Sequence, residues 1–198
     1  MENTAMVPRK KGRPRSEKSR NAILNATNKL LLQTSVQELS IEAIAKKAKV
    51  GKTTIYRWWP NKTAVVMDAL SNQPGMQTPL PTASSHREAI LMQLEKLIRL
   101  VDSKNGETIA QLFSEAQASE VSLKIFKNNL LEPLMDAIEY SIIEGQKNGE
   151  FREDIDKDMA ADMLCGPIFF RLMAHAQDLD DTFRETYPFE AIKILDAG

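Results

Sequence analysis

The sequence predicts an all-α fold, on three observations. Apolar residues recur at helical spacing in segment after segment, no segment alternates with period two, and the breaks between segments carry helix caps, prolines and Asn-Gly pairs. The chain's 198 residues suit one small module followed by a larger one, and a hydrophobic content of 42% supplies a buried core. The expected organisation is a flexible basic arm over 1–18, a three-helix unit with a helix-turn-helix over 19–72, a linker over 73–84, and a larger helical bundle over 85–198.

The arm, Val7 to Arg15, combines two prolines, a glycine and dense positive charge, a composition that stays unfolded alone. Ile23, Ala26, Leu30 and Leu31 then mark the apolar face of a first helix from Ser19 to Thr34. Ser40 can cap a short second helix, Ile41 to Lys47, and a third runs from about Gly51 to Arg57 or Trp58. Pro60 stops it, and Asn61 can cap a fourth that carries Val65, Val66, Ala69 and Leu70. The stretch from Gln73 to Ser84 is rich in proline and small polar residues, as a linker is.

Downstream, Ser85 and Glu88 have capping-box spacing and open a helix through Leu100, which Asn105-Gly106 should break. A helix over Glu107 to Ala118 and a long one over Val121 to Lys147 follow. Pro133, inside the long helix, should kink it. Two final helices are expected over 156–176 and 180–195, each preceded by aspartates that complement the helix dipole.

A net charge of −1 conceals a division along the chain. Residues 1–62 hold 14 Lys and Arg against 4 Asp and Glu, and the remainder holds 12 against 23. A basic end gains by releasing counterions from a polyanion, while an acidic body is repelled and held away; the polarity suits nucleic acid. No uncharged apolar stretch approaches the roughly 20 residues that span a bilayer, and the basic start lacks an apolar leader core. With Cys165 as its single cysteine, the chain is expected in the cytoplasm, away from any membrane.

Ile41 to Trp59 has the logic of a helix-turn-helix, in which two short helices cross closely over a three- to four-residue turn. Ala45 permits the crossing, Ala48-Lys49-Val50 makes the turn, and Ile55 closes the small core from the third helix. With Ile55 inward, Lys52, Thr53 and Tyr56 or Arg57 fall on faces that can meet DNA. In the arm, Gly12-Arg13-Pro14 with Arg15 resembles an AT-hook, whose arginines enter a narrow A·T-rich minor groove; a solubilising tail is the alternative.

Ser40-Ile41-Glu42-Ala43-Ile44-Ala45, followed by Val50-Gly51-Lys52-Thr53-Thr54-Ile55-Tyr56-Arg57-Trp58-Trp59-Pro60-Asn61-Lys62, resembles the tetracycline-repressor (TetR) family. Gly166-Pro167-Ile168-Phe169-Phe170-Arg171-Leu172 is similar to a C-terminal subgroup of it. The resemblance implies that Lys52, Thr53, Thr54 and Arg57 approach base edges or backbone in the major groove, while Tyr56 and Lys62 clamp phosphates. Arg57 suits either a bidentate guanine contact or a phosphate. Trp59 matches the family's core aromatic, and Trp58 is either core or groove edge. Two departures stand out: Lys49 where the family has glycine, a left-handed position for a residue with a Cβ, and Gly51 in place of a serine cap.

For the larger domain the resemblance implies a small-molecule effector bound between helices and a homodimer built on the last two helices. Phe113, Met135, Met163, Phe169 and Phe170 are candidates for an apolar pocket, with ordinary core the competing reading of each. Met159, Ala160, Met163, Leu164, Pro167 and Ile168, with Phe183, Tyr187, Ile192 and Leu195, exceed what two terminal helices need for one small core, which favours a four-helix interface. Two such reading heads fit a near-palindromic double-stranded operator. Enzyme chemistry has little material: His86 and His175 lack metal-ligand spacing, no glycine-rich phosphate loop occurs, and Cys165 sits in an apolar stretch. Neither a catalytic residue, a metal nor a cofactor is expected. The leading expectation is a ligand-responsive repressor that releases its operator on binding the effector. The alternatives are a ligand-independent or architectural DNA-binding protein that uses the arm, and an all-α protein-interaction module.

Overall fold

Short side-chain caps start most of the helices in this chain, and apolar stripes decide how they pack. The computed structural model describes residues 16–73, 76, 82–174 and 179–196, and every regular element among them is helical. The basic arm, with Arg13 and Arg15, lies outside the described residues, as does His175.

Helix α1 spans Glu17–Leu31 and buries Ile23, Leu24, Ala26, Thr27 and Leu31. It ends three residues before Thr34, because Val36 and Leu39 of the following loop turn inward to join the core. Helix α2, Ile41–Ala48, is capped by the Ser40 hydroxyl, which accepts from the Ala43 N–H at 3.1 Å. Helix α3, Lys52–Tyr56, anchors itself on fully buried Ile55. Helix α4, Lys62–Ser71, is capped by Asn61 and buries seven of its ten residues, since it is packed against α1 on one side and the bundle on the other.

The bundle begins with α5, His86–Val101. Ser85 caps the Glu88 N–H as expected, but the Glu88 carboxylate reaches the N–H and hydroxyl of Ser84, one residue earlier than the box requires. These bonds hold the Glu88 carboxyl below its usual range. Glu150 accepts the N–H groups of His86 and Arg87, a carboxylate set on the positive end of the helix. Helix α6, Lys104–Ala116, starts earlier than expected. Asn105-Gly106 is not a break but part of its first turn, and the break falls at Asp102-Ser103. Glycine is required there by close approach: a Cβ on Gly106 would sit 2.0 Å from the Val101 carbonyl oxygen.

The long helix expected over 121–147 is resolved into α7, Glu120–Phe126, a π-helical turn at Lys127–Leu131, and α8, Glu132–Lys147. Pro133 therefore stands at the start of a new α-helical ladder, where its ring and missing N–H do least harm. The wider turn takes up the mismatch, with the Glu132 N–H reaching back to the Lys127 carbonyl. Gly149, at φ 71°, ends α8 in the left-handed conformation.

Helix α9, Lys157–Ala174, contains Pro167, and α10, Asp181–Ala191, continues as a 3-10 turn over Ile192–Leu195. Pro167 has no N–H for the Met163 carbonyl. The Tyr187 hydroxyl of α10 donates instead to the Leu164 carbonyl at 3.0 Å, with the Met163 carbonyl at 3.3 Å. The buried apolar residues form one continuous cluster from Ile23 to Leu195. Met76, within the stretch expected to be a linker, is part of it.

Candidate nucleic-acid interface

Between α2 and α3 the chain turns through Lys49, at φ 56° and ψ 45°, in the left-handed conformation expected of this position. Its N–H meets the carbonyls of Ala45 and Lys46, and Gly51 precedes α3 without a side-chain cap. Burying Ile55 turns the rest of the short helix outward: Lys52, Thr53, Tyr56 and Arg57 are exposed, and Thr54 is half-buried. Exposed Lys46, Lys47 and Lys49 continue the basic surface along the end of α2 and into the turn. Lys46 and Lys47 were not singled out by the sequence reading. Their exposure beside α3 follows from the crossing of the two helices.

Lys52 donates to the Glu42 carboxylate at 2.8 Å. This bond lowers the Glu42 carboxyl below its usual range and raises the Lys52 ammonium. With both side chains more than half exposed, the pair contributes little to stability and yields readily to a phosphate. Beneath this surface Trp59 is buried, as expected, and its indole N–H donates to Asp68 at 2.9 Å. Arg20 Nη2 donates to the same carboxylate, 2.7 Å from each oxygen, and the guanidinium lies over the Trp58 ring at 5.9 Å. Asp68 thus ties α1, the end of α3 and α4 together. No sequence signal identified it, because its partners lie 9 and 48 residues away. Trp58, half-buried and 6.1 Å from the Trp59 ring, extends this packing.

Lys62 departs from the expected phosphate clamp. Its ammonium is held between the Val36 carbonyl, at 2.7 Å, and the Glu115 carboxylate of α6, at 2.9 Å, and only 19% of its side chain is exposed. The neighbouring Val36 N–H donates to Gln111 of α6 at 2.8 Å, and Asn61 donates to Ser122 of α7 at 3.2 Å. A cation expected to hold DNA instead helps bind the helix-turn-helix unit to the bundle. The reason is competition: Glu115 lies 53 positions later in the chain and becomes a neighbour only when α4 packs against α6.

Comparisons with known proteins agree with this geometry. Residues 23–69 match the pattern described as bacterial regulatory proteins of the tetR family, and residues 80–187 match the tetracyclin repressor-like C-terminal domain. The uncharacterized HTH-type transcriptional regulator YdeS of Bacillus subtilis is 32% identical over 188 residues, 95% of each chain. The chain belongs to the TetR family.

Among solved structures, the TetR family transcription regulator SCO0332 superposes with a TM-score of 0.70 at 24% identity, covering 90% of this chain and 97% of that one. FadR from Bacillus subtilis, in complex with stearoyl-CoA, gives 0.65 at 20% identity, covering 87% and 97%. As a TetR-family member the protein is a helix-turn-helix, DNA-binding transcriptional regulator, and its family is not one of enzymes. No helix among the described residues is long and apolar enough to cross a membrane, and no group of His, Cys, Asp and Glu among them is placed to hold a metal. Cys165 is buried, and burial with the nearby Asp162 charge pushes its thiol up to about 12, far from a reactive thiolate.

In the C-terminal half of this TetR-family chain, the five residues considered for a pocket do not converge. Phe169 lines a cavity of about 40 Å³ with Leu97, Leu130, Pro133 and Leu134. Phe113 packs on Phe126, with ring centres 5.3 Å apart, and borders a separate surface groove with Gln111 and Met173. Met135 is half-buried in the core packing. Met163 and Phe170 are 48% and 63% exposed on the outer face of α9. Both side chains therefore point away from the bundle core. Helical phase explains the assignment: 159, 163 and 170 share one side of α9, whereas Leu164, Ile168 and Leu172 occupy the buried side.

Proposed function

We propose that this protein is a homodimeric, ligand-responsive repressor that grips a near-palindromic operator and releases it when a small molecule enters the C-terminal bundle. The observation that carries the reading is the exposed polar face of α3, held rigid by buried Ile55 and Trp59 beneath it and flanked by Lys46, Lys47 and Lys49. In this reading Lys52, Thr53, Thr54 and Arg57 meet base edges or backbone in the major groove, and Tyr56 donates to a phosphate. Arg13 and Arg15 add contacts from the arm, and the protein works in the cytoplasm, where its operator lies.

Dimerisation is assigned to α9 and α10. Met159, Met163 and Phe170 on α9 and Phe189 on α10 leave apolar surface exposed on the outer side of the terminal helices. A second copy related by a two-fold axis would cover it and set the two α3 helices on successive major-groove faces, roughly 34–36 Å apart. Effector responsiveness is supported by the likeness to FadR, whose structure holds stearoyl-CoA, and by the apolar cavity beside the π-helical turn. Ligand binding releases DNA only if it favours an arrangement of the bundle that spaces the α3 pair wrongly.

Footprinting on DNA selected from a random pool tests the reading. A short protected palindrome that Arg57→Ala weakens about tenfold or more is the expected outcome. Uniform binding with a steep salt dependence and no preferred site would favour an architectural protein and sink the repressor reading.

A further inference from the structure

Gln93 on α5 is buried to more than nine-tenths, and its Oε1 is the one buried side-chain polar atom among the described residues without a hydrogen-bond partner in the protein. Its Nε2 donates to the Ser141 hydroxyl of α8 at 3.1 Å, and that hydroxyl donates to the Ala137 carbonyl at 3.2 Å. Ser141 has a single proton, already given to Ala137, so it has nothing to offer Gln93 Oε1. Turning the amide round would leave both its N–H groups unmet instead. Buried acceptors are rarely left in this state, and an exception calls for a reason.

The surroundings supply one. Gln93 lies four residues before Leu97, one helical turn or about 6 Å along α5, and Leu97 lines the apolar cavity. On α8, Ser141 stands two turns beyond Leu134, which lines the same cavity. Cavity and amide therefore lie along the same seam, the α5–α8 interface, although neither Gln93 nor Ser141 lines the cavity itself. Asn129, the one polar side chain lining the cavity, has its amide donated to the Ile125 carbonyl at 2.8 Å. At about 40 Å³ the cavity exceeds a water but is too small for a drug-sized ligand, so an effector must part the seam further. The π-helical turn and Pro133 form the wall where the α-helical ladder is already interrupted.

We infer that the effector is a neutral, apolar molecule bearing a hydrogen-bond donor, a hydroxyl in the simplest case, and that Gln93 Oε1 selects it. The inference rests on the ligand-responsive reading above. An apolar body widens the cavity along the α5–α8 interface by about one helical turn, and its donor then reaches Gln93 Oε1. A ligand of the same shape without a donor gains the apolar contact but leaves Gln93 as it was.

The probes are 4-butylphenol and 4-butylanisole, similar in shape and differing in the donor, titrated calorimetrically into the full-length protein and into Gln93→Leu and Gln93→Met. The expected result is binding of the phenol at least tenfold tighter than the anisole, with selectivity falling to within twofold in both variants while their melting temperatures hold or rise. Equal binding of the two probes to the unmodified chain, selectivity that survives both substitutions, or binding of neither probe would overturn the inference. Operator release is measured separately: phenol binding without release would sink the repressor reading and leave the donor selection standing.

Discussion

Lys49 and Lys62 show how differently two lysines of the same basic segment are used. Lys49 holds a left-handed conformation that disfavours any residue with a Cβ by about 1 kcal/mol or more. Lys49→Gly is expected to stabilise the fold by up to about 1 kcal/mol in urea melts and to weaken operator binding, since an exposed cation beside α3 is lost. Lys62 is spent inside the protein. Lys62→Met leaves Glu115 unpaired and should lower stability by about 1–2 kcal/mol, a modest figure because the pair is partly exposed. A phosphate clamp would behave otherwise, with a shallower salt dependence of DNA binding and unchanged urea midpoints. The strain at Lys49 was legible from its place in the turn. The fate of Lys62 was not, because local sequence names a cation without naming which anion reaches it first.

At the scale of the helix, three irregularities carry the lesson. Asn105-Gly106 reads as a break, yet the α5–α6 corner needs a residue without Cβ in the first turn of α6. Pro133 reads as a kink, and the chain answers with a π-helical turn. Pro167 interrupts α9, and the Tyr187 hydroxyl of α10 reaches the freed Met163 carbonyl and its Leu164 neighbour. Tyr187→Phe is expected to cost about 1 kcal/mol of stability by removing that hydroxyl. Burial pushes Tyr187 up from 10.0 to about 12, and Cys165 from 9.0 to about 12. In both, the folded state keeps its proton to higher pH than the unfolded chain. Stability is therefore full below about pH 9 and falls as pH climbs towards 12, and urea midpoints across that range should drop. Tyr187→Phe should make the decline shallower in its upper part.

Across the whole molecule, the proposed reading gives the basic N-terminal end to DNA and the exposed apolar face of α9 to a second copy. Phe170→Glu, a substitution at an exposed position, should leave the fold intact while shifting sedimentation towards the monomer and weakening operator binding at least tenfold. A dimer that persists unchanged would remove α9 from the interface. By itself the sequence determined the all-α class, most helix starts, the turn that sets α3 and the residues on its outer face. These depend on caps and on spacing along one helix, where partners lie within four residues. Tertiary structure alone decided that Lys62 faces Glu115, that Asp68 joins Arg20 to Trp59, that Met163 and Phe170 look outward and that Gln93 keeps an open acceptor. Each depends on which helix face meets which, set by packing across tens of residues, and no local pattern records it.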